Sequence, residues 1–324
     1  MEEGSVDGAE PVLVSLLCHV VNLPATIVPV KLLGTVLVLQ VALGLVLVGL
    51  VATDNLPFGD DEADGAPAAT ARPKVDNFDS GTAWALLRDQ VELGPRPAGS
   101  AASRKLAARL RRLLPDGRFE AVPNGLRNVV GTLPGREPGY IVVGAHYDTK
   151  DIPGFLGAND GASGTAVVVQ LARTLKRPRH TIKFILFDGE ESPRGTPSRL
   201  FAQRGLRGAK VAAPRYKEAQ AMVLLDFVGD RRLSLPREGS SDAGLWRRLR
   251  DAAREVGVVR HFPPYTRGTI LDDHIPFLQQ GVPSIDLIDF DFPCWHLRCD
   301  DMSHVSERSL DATGEAVYRF LASL

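Results

Sequence analysis

The sequence predicts an α/β fold, on three observations. Short apolar runs alternate with amphipathic segments from Asp76 onward. The runs 140–145 and 181–187 are rich in β-branched and aromatic residues, as buried strands are. Several runs stop directly at polar clusters, among them His146-Tyr147-Asp148, Asp188-Gly189-Glu190-Glu191 and Asp226. Sites in open α/β sheets lie beyond the carboxyl ends of the strands, so this placement also points to function.

Taken in order, Ser80 can cap a helix over 83–93, and 104–114 forms a second, strongly basic helix. Strands follow at 128–133 and 140–145, then an apolar helix at 162–175. Further strands are expected at 181–187, 221–227 and 283–288, and amphipathic helices at 246–256 and 311–321. The 324 residues suffice for a sizeable core. With 44% hydrophobic and 24% charged residues, wholesale disorder is excluded. A net charge of −1 leaves no electrostatic footprint for nucleic acid. Three cysteines are too few for a disulfide-built mini-scaffold.

The N-terminus is segregated. From Leu32 to Ala52 about 21 residues carry no charge, enough for a helix of roughly 32 Å, the span of a bilayer core. Lys31 precedes the run, and Asp54, Asp60, Asp61, Glu62 and Asp64 follow it. The lone Lys31 favours a cytoplasmic N-terminal flank and an extracytoplasmic remainder. A cleaved signal peptide is the rival, but Leu50 would then occupy a position that wants a small residue. A buried soluble helix is a third possibility. The poorer uncharged stretch 11–30 either pairs with the first as a hairpin, which would reverse the topology, or reflects an upstream start codon. The expected plan is therefore an N-terminal segment of unknown role (1–31), a transmembrane signal-anchor helix (32–53), a flexible Ala/Pro-rich linker (54–75) and a catalytic domain (76–324).

The polar clusters carry the chemistry. In GAHYDTK, His146 and Asp148 share one side of a strand end; Asp148 either orients the imidazole or completes a structural pair. Asp160 in GANDGASG is either a helix N-cap or a metal ligand. Asp188, Glu190 and Glu191 follow a buried strand and call for a counter-charge; one of the adjacent glutamates can bind a cation while the other works as general acid/base. Asp226 ends an apolar run and must be paired. Asp272, Asp273 and His274 lie in ILDDHIPFLQQGVP, and Trp295-His296 follows the segment containing Phe292. The set His146, Asp160, Glu191, Asp226 and His296 offers mixed N/O ligands without thiolates, which suits catalytic zinc.

The ordered series GAHYDTK, GANDGASG, FDGEE, LLDFVG and WH resembles the zinc aminopeptidase superfamily that includes the glutaminyl cyclases, over roughly 76–324. The resemblance implies a three-layer α/β sandwich with a mixed, mostly parallel central sheet. DDHIPFLQQGVP, Trp295-His296 and LLDFVG resemble the cyclase branch, as do RPAGS and NVVGTLPG. That branch implies one Zn2+ on Asp160, Glu191 and His296, with Glu190 as proton shuttle and Asp226 and Asp272 assisting. Trp295 and Phe292 would bind the substrate, the N-terminal glutamine of a peptide or protein, which becomes pyroglutamate as ammonia leaves. The aminopeptidase branch implies a second zinc on His146, Asp160 and Asp226, and hydrolysis of N-terminal residues. A catalytically silent peptide-binding domain is the third alternative, disfavoured because Glu190 and the ligand candidates are all present. Three departures from the cyclase pattern bear on substrate and metal count: Asp286 stands where it has a histidine, the segment before Trp295 is one residue shorter, and GANDGASG is more peptidase-like. Cys294 and Cys299 flank His296; a local disulfide would pin that loop outside the cytoplasm, with free thiols or thiolate ligands as alternatives.

Overall fold

The structure, a computed structural model, describes residues 70–324. The expected segments 1–31 and 32–53 lie outside the described residues. No helix among the described residues is long and apolar enough to cross a membrane. The linker expected to reach 75 is tied to the domain from 70. Thr70 Oγ1 donates to the Arg231 carbonyl, and the Ala71 and Lys74 amides donate to His261 Nε2 and the Val256 carbonyl.

Helix α1 (Ser80–Val91) is capped by Asp79, which accepts from the Thr82 amide, rather than by Ser80. Helix α2 (Ala101–Leu113) starts at the Ser100 cap. A hairpin of β1 (Arg118–Val122) and β2 (Leu126–Leu133) turns through Asn124 and Gly125, both at positive φ. Then come β3 (Glu137–His146), α3 (Ala162–Thr174) and β4 (His180–Phe187). The short α4 (Phe201–Arg204) and α5 (Arg207–Arg215) lead into β5 (Met222–Leu225). Helix α6 (Ala243–Glu255), the short α7 (Ile275–Gln279), β6 (Ser284–Leu287) and α8 (Glu307–Ser323) complete the domain.

The six strands form one sheet in the order β1-β2-β4-β3-β5-β6. The pairs β3–β4, β3–β5 and β5–β6 are parallel; β1–β2 and β2–β4 are antiparallel. Alternating residues divide the sheet between two cores. Val143, Ala145, Phe184, Leu186, Val223 and Leu225 pack under α1, α2, α3, α6 and α8, while Val142, Ile185, Phe187, Met222 and Leu224 pack against α5 and α7. These are the three layers of a sandwich. Helix α3 lies so close to the sheet that a Cβ on Gly164 would meet the Leu225 carbonyl at 2.1 Å. The chain places β4 on one side of β3 and returns to place β5 on the other. Strand order therefore reverses at β3, and a crevice opens beyond the carboxyl ends of β3, β4 and β5.

Candidate active site

Residues far apart in sequence converge on that crevice. His146 ends β3, Glu190 and Glu191 follow β4, Asp226 follows β5, and His296 lies on the loop after β6. Asp160 precedes α3. Its carboxylate does not cap that helix: the cap is Gly161, at φ 92°, and no side chain bonds there. Asp160 is held instead by Asp300, whose two oxygens accept the Asn159 amide (2.7 Å) and the Asp160 amide (3.0 Å).

Asp148 also acts differently from expectation. Its carboxylate accepts three backbone amides of the turn after β4, from Gly189 (2.9 Å), Glu190 (3.2 Å) and Glu191 (3.3 Å). Its carbonyl, 3.0 Å from His146 Nδ1, orients the imidazole. Asp188 turns away from the crevice and accepts the Arg127 amide. Burial and the Asp148 charge raise it to about 6.

Two groups of candidate ligands meet at Asp160. In one, atoms of Asp160, Glu191 and His296 lie within 4.8 Å of one another; in the other, atoms of His146, Asp160 and Asp226 do. His296 Nε2 is 3.1 Å from Glu191 Oε1 and 3.4 Å from Asp160 Oδ2. His146 Nε2 is 3.0 Å from Asp226 Oδ1 and 3.2 Å from Asp160 Oδ1. Ligands at about 2.0–2.2 Å in a tetrahedron are separated by about 3.4 Å, so this spacing fits zinc. Asp160 Oδ2 is buried without a hydrogen-bond partner, as a ligand awaiting a cation would be. The second oxygen of Glu191 is engaged by Lys150 Nζ at 2.5 Å, which leaves Oε1 to face His296. His296 sits at φ 54°, a left-handed conformation uncommon for a residue with a side chain, within the loop closed by the Cys294–Cys299 disulfide.

Electrostatics separates the two adjacent glutamates. Burial and the Glu191 charge push Glu190 well above the usual carboxylate range. Burial would raise Glu191 too, but the His296 hydrogen bond and the Lys150 charge hold it below that range. The two adjacent carboxyls are thus pushed in opposite directions. Burial and the Asp272 charge raise Asp226.

The crevice encloses about 440 Å³, bounded by Glu190, Asp226, Asp272, Phe227, Phe290 and Trp295 among others. Trp295 stacks on His296 at 4.4 Å and meets Phe290 at 4.8 Å. Phe292, expected at the substrate, is instead buried beside Phe227 and does not line the cavity; Phe290 takes that place. Sequence reasoning passed over Lys150, although it lies within GAHYDTK, and also Asp300 and Glu238. Glu238 is wholly buried. Burial would raise it, but hydrogen bonds from His274, Ser240 and Ile270 bring it down to about 2. Asp286, at the departure from the cyclase pattern, faces His274 Nδ1 at 3.6 Å.

A three-layer α/β sandwich with carboxylates and imidazoles beyond its parallel strands defines the class of metal-dependent exopeptidase-like enzymes. Residues 128–321 match peptidase family M28, and the chain belongs to that family. It is 29% identical over 284 residues to a glutaminyl-peptide cyclotransferase of Bos taurus, covering 71% of this chain and 78% of that protein. The fold matches the glutaminyl cyclase of Porphyromonas gingivalis with a TM-score of 0.68 at 27% identity, over 77% of this chain and 99% of that one. A Zn-dependent exopeptidase of Parabacteroides distasonis matches equally, with a TM-score of 0.68 at 27% identity over 77% and 100% of the two chains.

Proposed function

We propose that this chain is a zinc-dependent glutaminyl-peptide cyclotransferase, converting the N-terminal glutamine of peptides to pyroglutamate with release of ammonia. The observation that carries it is the convergence of Glu190, Asp226 and Asp272 on one cavity with the Asp160–Glu191–His296 group and an aromatic wall of Phe227, Phe290 and Trp295. The cyclotransferase and cyclase relatives support the same reading.

Asp160, Glu191 and His296 would hold one zinc, which supplies Lewis-acid polarisation of the substrate's γ-carbonyl. Glu190 takes a proton from the α-amine as that nitrogen attacks the carbonyl carbon of the side-chain amide, and returns it to the departing amide nitrogen. One C–N bond forms, one breaks, and no water is consumed. Asp226 and Asp272 hold the proton network beside Glu190. Phe227, Phe290 and Trp295 enclose the folded side chain, so that attack is intramolecular. The uncharged run from Leu32 to Ala52 supports anchoring in a membrane with the catalytic domain outside the cytoplasm, and the Cys294–Cys299 bond suits an oxidising compartment.

Zinc aminopeptidase activity is the second reading, favoured by the His146–Asp160–Asp226 group and the exopeptidase relative. Incubation with glutaminyl peptides and with aminoacyl anilides separates the two. Ammonia with a pyroglutamyl product is the expected result; released N-terminal amino acids would overturn it.

A further inference from the structure

One wall of the catalytic cavity is a short turn without regular structure. Thr269, Ile270, Leu271 and Asp272 line the cavity from it, and His274 closes its far end. A turn of this kind needs an external partner for its backbone. That partner lies behind the wall, on the loop between β5 and α6.

Glu238 accepts the Ile270 amide on Oε1 at 2.9 Å, while Oε2 lies 3.3 Å from His274 Nε2. A single carboxylate therefore grips both ends of the segment that carries Asp272. Its own loop is locked to it: the Ser240 amide and hydroxyl donate to it at 2.9–3.0 Å, and the Ser241 hydroxyl donates at 3.0 Å. Ser240 Oγ also lies 2.8 Å from His274 Nε2, and Ser241 Oγ accepts the Asp286 amide of β6 at 2.9 Å. Both side chains of the Glu238–His274 pair are fully buried. The gap beside Glu238, bordered by Ile270, Ile288 and Phe290, measures only about 10 Å³, room for one water at most. An amide in place of the carboxylate would offer one acceptor oxygen where the site's donors need two.

We propose that Glu238 is a positioning residue for the cyclisation proposed above: it clamps the 270–274 turn from outside the cavity and so holds Asp272 in register with Asp226. It touches neither substrate nor metal ligand, and it acts only through the turn.

The test is a double-mutant cycle of Glu238→Gln with Asp272→Asn, read as turnover of a glutaminyl peptide, together with amide hydrogen exchange over residues 268–274. Glu238→Gln should lower kcat about tenfold in the wild-type background and change it less than about twofold when Asp272 is already Asn. Exchange across 268–274 should quicken about tenfold while β3, β4 and zinc content stay unchanged. Equal losses of kcat in both backgrounds, or unchanged exchange in the turn, would overturn the proposal. Should Glu238→Gln fail to fold, Ser241→Ala removes one of its donors and should give a smaller loss of the same pattern. A wild-type chain without cyclase turnover counts against the reaction, and the exchange measurement then decides on Glu238 alone.

Discussion

Replacing Asp148 by Asn isolates how the turn bearing both glutamates is held. Asp148 is fully buried, and its carboxylate accepts the Gly189 and Glu190 amides on one oxygen and the Glu191 amide on the other. Asparagine keeps the shape and the first oxygen, but sets its NH2 group against the Glu191 N–H. One charge-assisted hydrogen bond is lost and a buried donor is left unmet, for a cost of about 3 kcal/mol. For a domain of this size that lowers Tm by about 6–12 °C. The buried Arg96 guanidinium, which Asp148 helps to balance alongside Asp300 and Asp160, also loses a partner. Because the displaced turn carries Glu191, zinc should bind about 10–100-fold more weakly. Thermal unfolding of the metal-stripped proteins gives the first quantity, and zinc titration against a competing chelator the second. A Tm within about 2 °C of wild type with unchanged zinc affinity would refute this account of the turn.

Glu190→Gln should keep zinc and lose turnover by at least about a hundredfold, since the amide cannot shuttle a proton; near-normal kcat would remove Glu190 from the mechanism. Burial drives Asp289 up to about 7, against the Ser234 amide that it accepts. A carboxyl raised on folding contributes stability that is present below its unfolded value and lost as pH rises through about 7, here at most about 4 kcal/mol. Asp289→Asn should therefore gain Tm relative to wild type between pH 5 and pH 8; a difference independent of pH would contradict the assignment. Replacing Cys294 and Cys299 by Ser should cost about 2 kcal/mol of stability and weaken zinc binding by loosening the His296 loop, whereas identical zinc affinity would show that the bridge does not hold the ligand.

The central elements were legible because their patterns are long and their environments uniform. Strands β3 and β4 are apolar runs buried on both faces, and α3 is buried along most of its length. Strand β1 escaped notice because RFEAV is a half-exposed edge strand, without the alternation of a one-sided sheet. Helix α5 is short and ends through Pro214, which reads as a breaker. At the site, the ligand candidates stood out as polar residues directly after apolar runs. The groups that hold them did not. Asp300 and Glu238 lie in polar loops where an acidic residue reads as solvated, and their task of accepting backbone amides leaves no trace in spacing. Phe290 and Phe292 alternate in the irregular segment beyond β6, where no period says which one faces the cavity.

Zinc stoichiometry across three proteins reaches the central claim most directly: the wild-type chain, His296→Ala and His146→Ala, each measured by elemental analysis after equilibration with limiting chelator. One ion per chain in the wild type, none in His296→Ala and one retained in His146→Ala would agree with a single zinc on Asp160, Glu191 and His296. Two ions in the wild type, or an undiminished content in His296→Ala, would contradict it.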